Sequence, residues 1–269
     1  MIDLLPLIQE DIPHLSSLQP PEWNDIRTVF NAHMGRSYFY GVKALSEGQL
    51  VGVGELMICG DSAWLGNIIV HRDHRKMGFG RKITEHLIKK TRETGISDLY
   101  LLATEMGAPL YATSGFKTAG FYNFYQYSST ALVTADNSRI MHVRQQHVEG
   151  IFSLDRRATG EDRSLILKCF LDDAVLTLNK RNKVVAFYIP KLGDGLIISD
   201  DIDAGLNLLR YRYMQGLTYL VIPEENIDIM DKAGIPYTKL GRRAVLMNIG
   251  TFKTWHPTLI FSRVGGYLG

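Results

Sequence analysis

Cysteine is scarce: among 269 residues there are two, Cys59 and Cys169, far apart and outside any CxxC or CxxH pair. Neither a disulfide framework nor a cysteine-built zinc site is indicated. No apolar run approaches the roughly 18 residues that a membrane span requires. The N-terminal stretch MIDLLPLIQEDIPHL carries Asp3, Glu10 and Asp11 and no basic leader, so no signal peptide is read there and the expected location is cytoplasmic. An excess of charge of one sign is missing too. Thirty Lys and Arg against 28 Asp and Glu leave a formal charge of +2, far from the concentrated basic face of a nucleic-acid binder, and any anion held here is expected to be small.

What is present is the composition of a soluble globular protein, 45% hydrophobic and 22% charged, in a chain long enough for two domains. Residues 2–8 read as a strand. Asp11 to Leu18 and Glu22 to His33 read as helices, the second led in by Pro20-Pro21. YFYGVKAL (38–45) and LVGVGELMI (50–58) alternate and are joined at Glu47-Gly48, a hairpin signal. Ala63 to Val70 adds a strand that runs into VHRDHRKMGFGRKITEHLIKK (70–90), a basic two-glycine turn followed by a helix with Ile83, Leu87 and Ile88 on one face, stopping at Gly95. DLYLLA (98–103), a short helix at 107–114 ended by Gly115, and the aromatic strand GFYNFYQY (120–127) complete a βαβ-like unit in a mixed sheet. SSTALVTADNSR (128–139) is small and polar and reads as the linker. Beyond it a similar order recurs: a helix at 162–171, strands through 174–199, a helix at 202–215, the strand YLVIP (219–223), a helix at 225–233 and terminal strands.

The glycine turn points to chemistry. A helix start has backbone N–H groups without intrahelical partners and a partial positive charge, so it attracts phosphate. Gly78 and Gly80 would let an anion approach without Cβ obstruction, and Arg75, Lys76, Arg81 and Lys82 raise the local potential. The spacing is neither that of a P-loop nor that of a dinucleotide fingerprint, because Ile83 stands where the third glycine of the latter belongs.

The segment RKMGFG (75–80) resembles the R/Q-x-x-G-x-G/A signature of the GNAT acetyltransferase superfamily, and APLYATSGF (108–116) is similar to its L-Y-x-x-x-G-F segment. Their joint occurrence is far more specific than either alone, and the order of elements over residues 1–127 also resembles the family. TGEDR (159–163), the helix at 202–215 and the closing FSRVGGYLG look similar to the second domain of two-domain bacterial members. The resemblance implies an α/β (α+β) fold, a GNAT-like mixed and mostly antiparallel sheet flanked by helices, in two tandem related domains. These would be a catalytic domain at 1–128, a linker at 129–138, and a degenerate GNAT-like domain at 139–269.

It further implies an N-acetyltransferase using acetyl-CoA as acyl donor, with a small-molecule or peptide amine as acceptor, direct transfer, and no metal, nucleic-acid or membrane partner. The pyrophosphate would be held by Arg75, Lys76, Met77, Gly78, Phe79, Gly80 and Arg81, the backbone amides coming from about Met77 to Arg81, and the pantetheine arm would lie along Ile68, Ile69 and Val70. Tyr111 would protonate the departing thiolate, Glu55 would act as base directly or through water, and an N–H near Ile69 would meet the oxyanion. Asp200-Asp201 occupies the matching turn of the second half and would repel a pyrophosphate, so one acyl-CoA per chain is expected.

Plainer alternatives stay open. The glycines could serve a tight turn alone, Tyr111 could be a core tyrosine, and Glu55 in an alternating strand could be a solvated outward-facing residue. His71 and His74 flank Asp73 but lack a third ligand and helical spacing, and read as surface histidines. Phe121, Tyr122, Phe124 and Tyr125 suit a core or interface as well as an acceptor pocket. The other functional class is a non-catalytic acyl-CoA-binding or regulatory protein.

Overall fold

The computed structural model describes residues 2–20, 23, 25–128 and 132–269. Two compact units are present: one comprises the chain up to Thr118 together with Met247–Phe252 and Gly266–Gly269, the other Ala119–Leu246 with Lys253–Gly265.

The first unit begins with β1 (Ile2–Pro6), a 3-10 turn at Gln9–Ser17 and α1 (Ile26–His33). The segment expected as an α-helix from Asp11 is 3-10 because Pro13 lies inside it, removing a backbone donor and crowding the preceding turn. The described part of the next helix starts at Ile26, where the Asp25 side chain caps the N–H of Arg27; Pro21, Glu22 and Asn24 lie outside the described residues, as do 129–131 of the expected linker. β2 (Phe39–Ser46) and β3 (Gln49–Cys59) form the anticipated hairpin, with Glu47 and Gly48 both at positive φ (52° and 77°), as a two-residue turn of the twist-compatible kind requires. β4 (Ser62–Val70), α2 (Phe79–Glu93), β5 (Asp98–Thr104) and α3 (Ala108–Thr113) follow.

The strand order is β1-β2-β3-β4-β5, antiparallel as far as β4, with β4 and β5 parallel. One face of β3 carries Gly52 and Gly54, which let α2 lie close to the sheet: a Cβ at Gly54 would stand 2.7 Å from Ile83 Cγ2 and 3.1 Å from Leu87 Cδ1. The other face joins Val53 and Ile69 to Leu7, Ile12, Leu15, Leu18, Ile26 and Phe30 in one apolar cluster. Burial of this two-sided sheet is the main stabilising term of the unit. Residues 251 and 252 return to β5, where Thr251 N–H donates to Asp98 (2.8 Å) and Phe252 packs edge-on to Tyr100.

The second unit takes most of β6 (Lys117–Tyr127), then β7 (Met141–His142), α4 (Val148–Thr159), α5 (Ser164–Leu167), β8 (Val175–Leu178), β9 (Val184–Ile189), β10 (Leu196–Ser199) and α6 (Ile202–Met214). β11 (Tyr219–Pro223), α7 (Asp228–Lys232), β12 (Tyr237–Ile249) and β13 (Ile260–Ser262) complete it, with the final residues of β12 belonging to the first unit beside β5. β13-β10-β9-β8-β7 form one sheet, and β11 pairs antiparallel with β6.

One local expectation changes here. The helix expected at 162–171 is one turn of α-helix, α5, followed by a 3-10 turn at Lys168–Phe170, while the longer α4 lies just before it. TGEDR closes α4: Gly160 takes φ 74° as its left-handed C-cap, and Arg163 makes a buried ion pair with Asp155.

Candidate active site

The distinctive geometry of the first unit lies at the C-terminal end of β4. Pairing with β5 stops at Trp64, opposite Tyr100, so from Leu65 onward the β5-facing edge of β4 leaves the ladder. On its other edge, Val53 pairs with Ile69 but Glu55 pairs with Gly66. Two steps along β3 therefore match three along β4, which places a bulge at Asn67 and Ile68, with Asn67 at φ 46°. Backbone groups of Ile68, Ile69 and Val70 on an edge without a neighbouring strand can bond an extended ligand as another strand would.

The turn begins where β4 ends. Arg75 Nε donates to the carbonyl of Val70 (3.3 Å), Lys76 takes φ 63°, and Gly78 takes φ 80° as the N-cap of α2. Gly78 offers no side-chain cap, and Lys82 is the first N–H to bond back, to the Gly78 carbonyl at 3.1 Å. The amides of the first turn are thus left for an anion. Nothing lies within 4 Å of a Cβ built at Gly78, whereas one at Gly80 would be 3.4 Å from Leu110 Cδ2 and 3.8 Å from Val70 Cγ2. Gly80 is therefore where α2, α3 and β4 meet. Phe79 is buried and stacks on His74, while Arg75, Lys76 and Met77 are exposed. The guanidinium of Arg81 pairs with Glu85 at 2.7 Å on the helix surface. His71 and His74 face each other edge to face, and among the described residues no group of three or more His, Cys, Asp or Glu is arranged to hold a metal ion.

α3 carries Tyr111, half-buried, its ring edge-on to Phe116 and its Cε2 3.5 Å from a Cβ built at Gly107. Desolvation pushes its phenol up to about 12, so it remains a proton donor across the neutral range.

Glu55 is 0% exposed, which excludes the solvated outward-facing reading. It stands between Gly41 of β2 and Gly66 of β4, both opposite it in the ladders. A Cβ at Gly66 would overlap Tyr267, so that glycine lets Tyr267 of the returning segment seat beside the carboxyl. Oε1 accepts from Asn67 Nδ2 at 2.7 Å, and Oε2 is buried without a hydrogen-bond partner among the described residues. Desolvation raises the carboxyl to about 8, with the Asn67 bond pulling the other way. Close by in the unit, Tyr267 packs edge-on to His33, a buried imidazole 3.2 Å from Tyr38 Oη and held down to about 4 chiefly by desolvation.

Asn67, Tyr267 and His33 escape sequence reasoning. Asn67 alone left a signal, as the one side chain of WLGNIIV that is unfavourable in a strand.

The corresponding start of α6 in the second unit is closed by its own residues. Asp201 Oδ1 accepts from the N–H of Ala204 (2.9 Å), and Asp200 is paired with Arg157. An acidic cap occupies what Gly78 leaves open in the first unit.

The model of the acetyltransferase (GNAT) family matches residues 5–116. The uncharacterised N-acetyltransferase YitH of Bacillus subtilis (strain 168) is 23% identical over 252 residues, spanning 90% of this chain and 83% of its own. Among solved structures, a Pyrococcus horikoshii protein assigned to the acetyltransferases overlays all of this chain and 96% of its own, with TM-score 0.84 at 17% identity. The tandem GNAT protein of the clavulanic acid biosynthesis pathway overlays 92% of this chain and 98% of its own, with TM-score 0.64 at 13% identity. A GCN5-related N-acetyltransferase from Sphaerobacter thermophilus overlays 94% and 96%, with TM-score 0.64 at 14% identity. The structural likenesses show a shared fold.

Proposed function

From an N-terminal domain, residues 5–116, that belongs to the GNAT acetyltransferase family, we propose that this chain moves an acetyl group from acetyl-CoA to an amine by direct transfer, with no covalent enzyme intermediate. The observation that carries this reading is the departure of β4 from β5 after Trp64, with the uncapped start of α2 at the far end of the same strand. The open edge suits the amide groups of pantetheine, and the first turn of α2 suits the pyrophosphate. Arg75, Lys76, Met77, Gly78, Phe79, Gly80 and Arg81 form the cradle, and Ile68, Ile69 and Val70 the strand edge.

The neutral amine attacks the thioester carbonyl, and the oxygen that gains charge is met by a backbone N–H near Ile69. The amine sheds a proton, which Glu55 takes through water; a carboxyl poised near 8 is a stronger base than an ordinary one, and it works where it is ionised. Tyr111 gives its proton to the leaving thiolate and regains one from solvent. The closed start of α6 supports a single acyl-CoA per chain.

The test is CoA release from acetyl-CoA against a panel of small amines, amino acids, polyamines and peptides. Turnover with one class is expected, with Tyr111→Phe lowering kcat by about 100-fold or more while acetyl-CoA still binds, and Gly78→Glu abolishing that binding. Tight acetyl-CoA binding without turnover on any amine would move the reading to a non-catalytic acyl-CoA-binding protein. Loss of both would leave the glycines as a turn.

A further inference from the structure

Asn67 is an anomaly that the scheme above does not use. It is the bulged residue of β4, it holds a left-handed φ of 46°, and its carboxamide is tied to a carboxyl that is 0% exposed. Backbone geometry alone would be met at lower cost by glycine. The asparagine side chain therefore has a purpose beyond the bulge.

Its chemistry narrows that purpose. Glu55 Oε1 takes the Nδ2–H of Asn67, which fixes the plane of the amide and leaves Oδ1 as its free acceptor corner. Asn67 is half-buried while Glu55 is fully covered, so a molecule reaching the bulge meets the carboxamide rather than the carboxyl. Asn67 lies two residues before Ile69 in β4, close to where the scheme above places the oxyanion N–H. A primary amine whose lone pair is aimed at the thioester carbon has N–H bonds directed away from it, and a carbonyl-type oxygen can take one of them. A neutral acceptor does this without drawing the amine into its ammonium form, as a carboxylate would; only the neutral amine is a nucleophile.

Resting on the acetyltransferase reading, we propose that Asn67 is the residue that orients the acceptor, its Oδ1 accepting an N–H of a neutral primary amine, and that Glu55, besides taking the amine's proton through water, holds the carboxamide for this contact. No bond is made or broken by Asn67; it sets the angle of attack.

Asn67→Gly separates side chain from backbone, since glycine keeps the left-handed φ and removes only the amide. Wild type and Asn67→Gly are compared for acetyl-CoA affinity, for slow acetyl-CoA hydrolysis without amine, and for kcat/KM with the best amine of the panel. The expected result is unchanged affinity and unchanged hydrolysis, with amine-dependent kcat/KM reduced by about 100-fold, the scale of a misplaced reactant. Glu55→Gln, which retains an acceptor oxygen for Nδ2–H, is expected to keep the amine KM close to wild type, whereas Glu55→Ala raises it. Equal amine-dependent kcat/KM in wild type and Asn67→Gly overturns the role of Asn67 and leaves the enzyme assignment standing. An equal fall in hydrolysis and in amine transfer makes Asn67 a support of the oxyanion site and overturns the orienting role. A wild type that binds acetyl-CoA and acetylates no amine overturns the acetyltransferase reading, and this inference falls with it.

Discussion

Two buried groups of the first unit, Glu55 and His33, shape its pH response at opposite ends. Glu55 is raised from 4.5 to about 8 by burial, so between these values the unfolded chain carries the charge and the folded chain carries the proton. The folded state binds more protons, and stability falls as pH climbs from the unfolded value through about 8. Replacing the group by its neutral isostere removes that penalty. Glu55→Gln is expected to leave the thermal midpoint unchanged near pH 4.5 and to raise it progressively towards pH 8, followed by calorimetry across that range; a uniform shift at every pH would mean that Glu55 is ionised in the fold. His33 acts at the other end. Its imidazole is depressed to about 4, so it favours the fold above the ordinary histidine range and loses that contribution as pH falls from 6.5 towards 4. At this scale the sequence was partly legible. Tyr111 and the glycines stood out by motif, but the burial of Glu55 did not, because an alternating strand allows either face and the deciding atoms, Gly41, Gly66 and Tyr267, come from three separate stretches of chain.

The elements carry a different kind of strain. Gly54 is filled by α2, and Gly78 is open but left-handed, so the same substitution acts by different physics at each. Gly54→Ala must displace Ile83 and Leu87, costing about 1–3 kcal/mol of overpacking and shifting the helix whose first turn is the proposed anion cradle; both stability and acetyl-CoA affinity are expected to drop. Gly78→Ala meets no atom and costs about 1 kcal/mol through its backbone conformation, with affinity falling less than in Gly78→Glu. Denaturant unfolding together with titration calorimetry separates the two cases. Elements bounded by strong punctuation were readable in advance: the Glu47-Gly48 hairpin, α2 between Gly78 and Gly95, α3 before Gly115. Those without it were not. α4 has Gly150 in its first turn and no side-chain N-cap, so its apolar face of Ile151, Leu154 and Ala158 passed unnoticed, and Pro13 converted an expected α-helix into a 3-10 turn. The bulge at Asn67 is a property of register between two strands, and neither strand alone reveals it.

For the whole molecule, the contrast between the starts of α2 and α6 predicts one acetyl-CoA per chain. Titration calorimetry is expected to give a stoichiometry of one, and Asp201→Gly should weaken the second unit by about 0.5 kcal/mol without creating another site. The division into two units also shows where local pattern stops informing. Residues 247–252 and 266–269 are built into the first unit, a return that composition, periodicity and turn residues do not encode. That return has a consequence in time. On a ribosome adding about 5–20 residues per second, the interval between Thr118 and Met247 lasts on the order of ten seconds. Throughout it, DLYLLA of β5 has β4 on one side and no strand on the other, because its second neighbour is the end of β12. A nascent chain cannot finish the unit it began first, and it carries an unpaired apolar strand edge until Met247 and the residues after it have been made. Such an edge invites pairing with other chains, so this protein is expected to depend on chaperones most during its own translation, and a fragment ending at residue 128 should aggregate rather than fold.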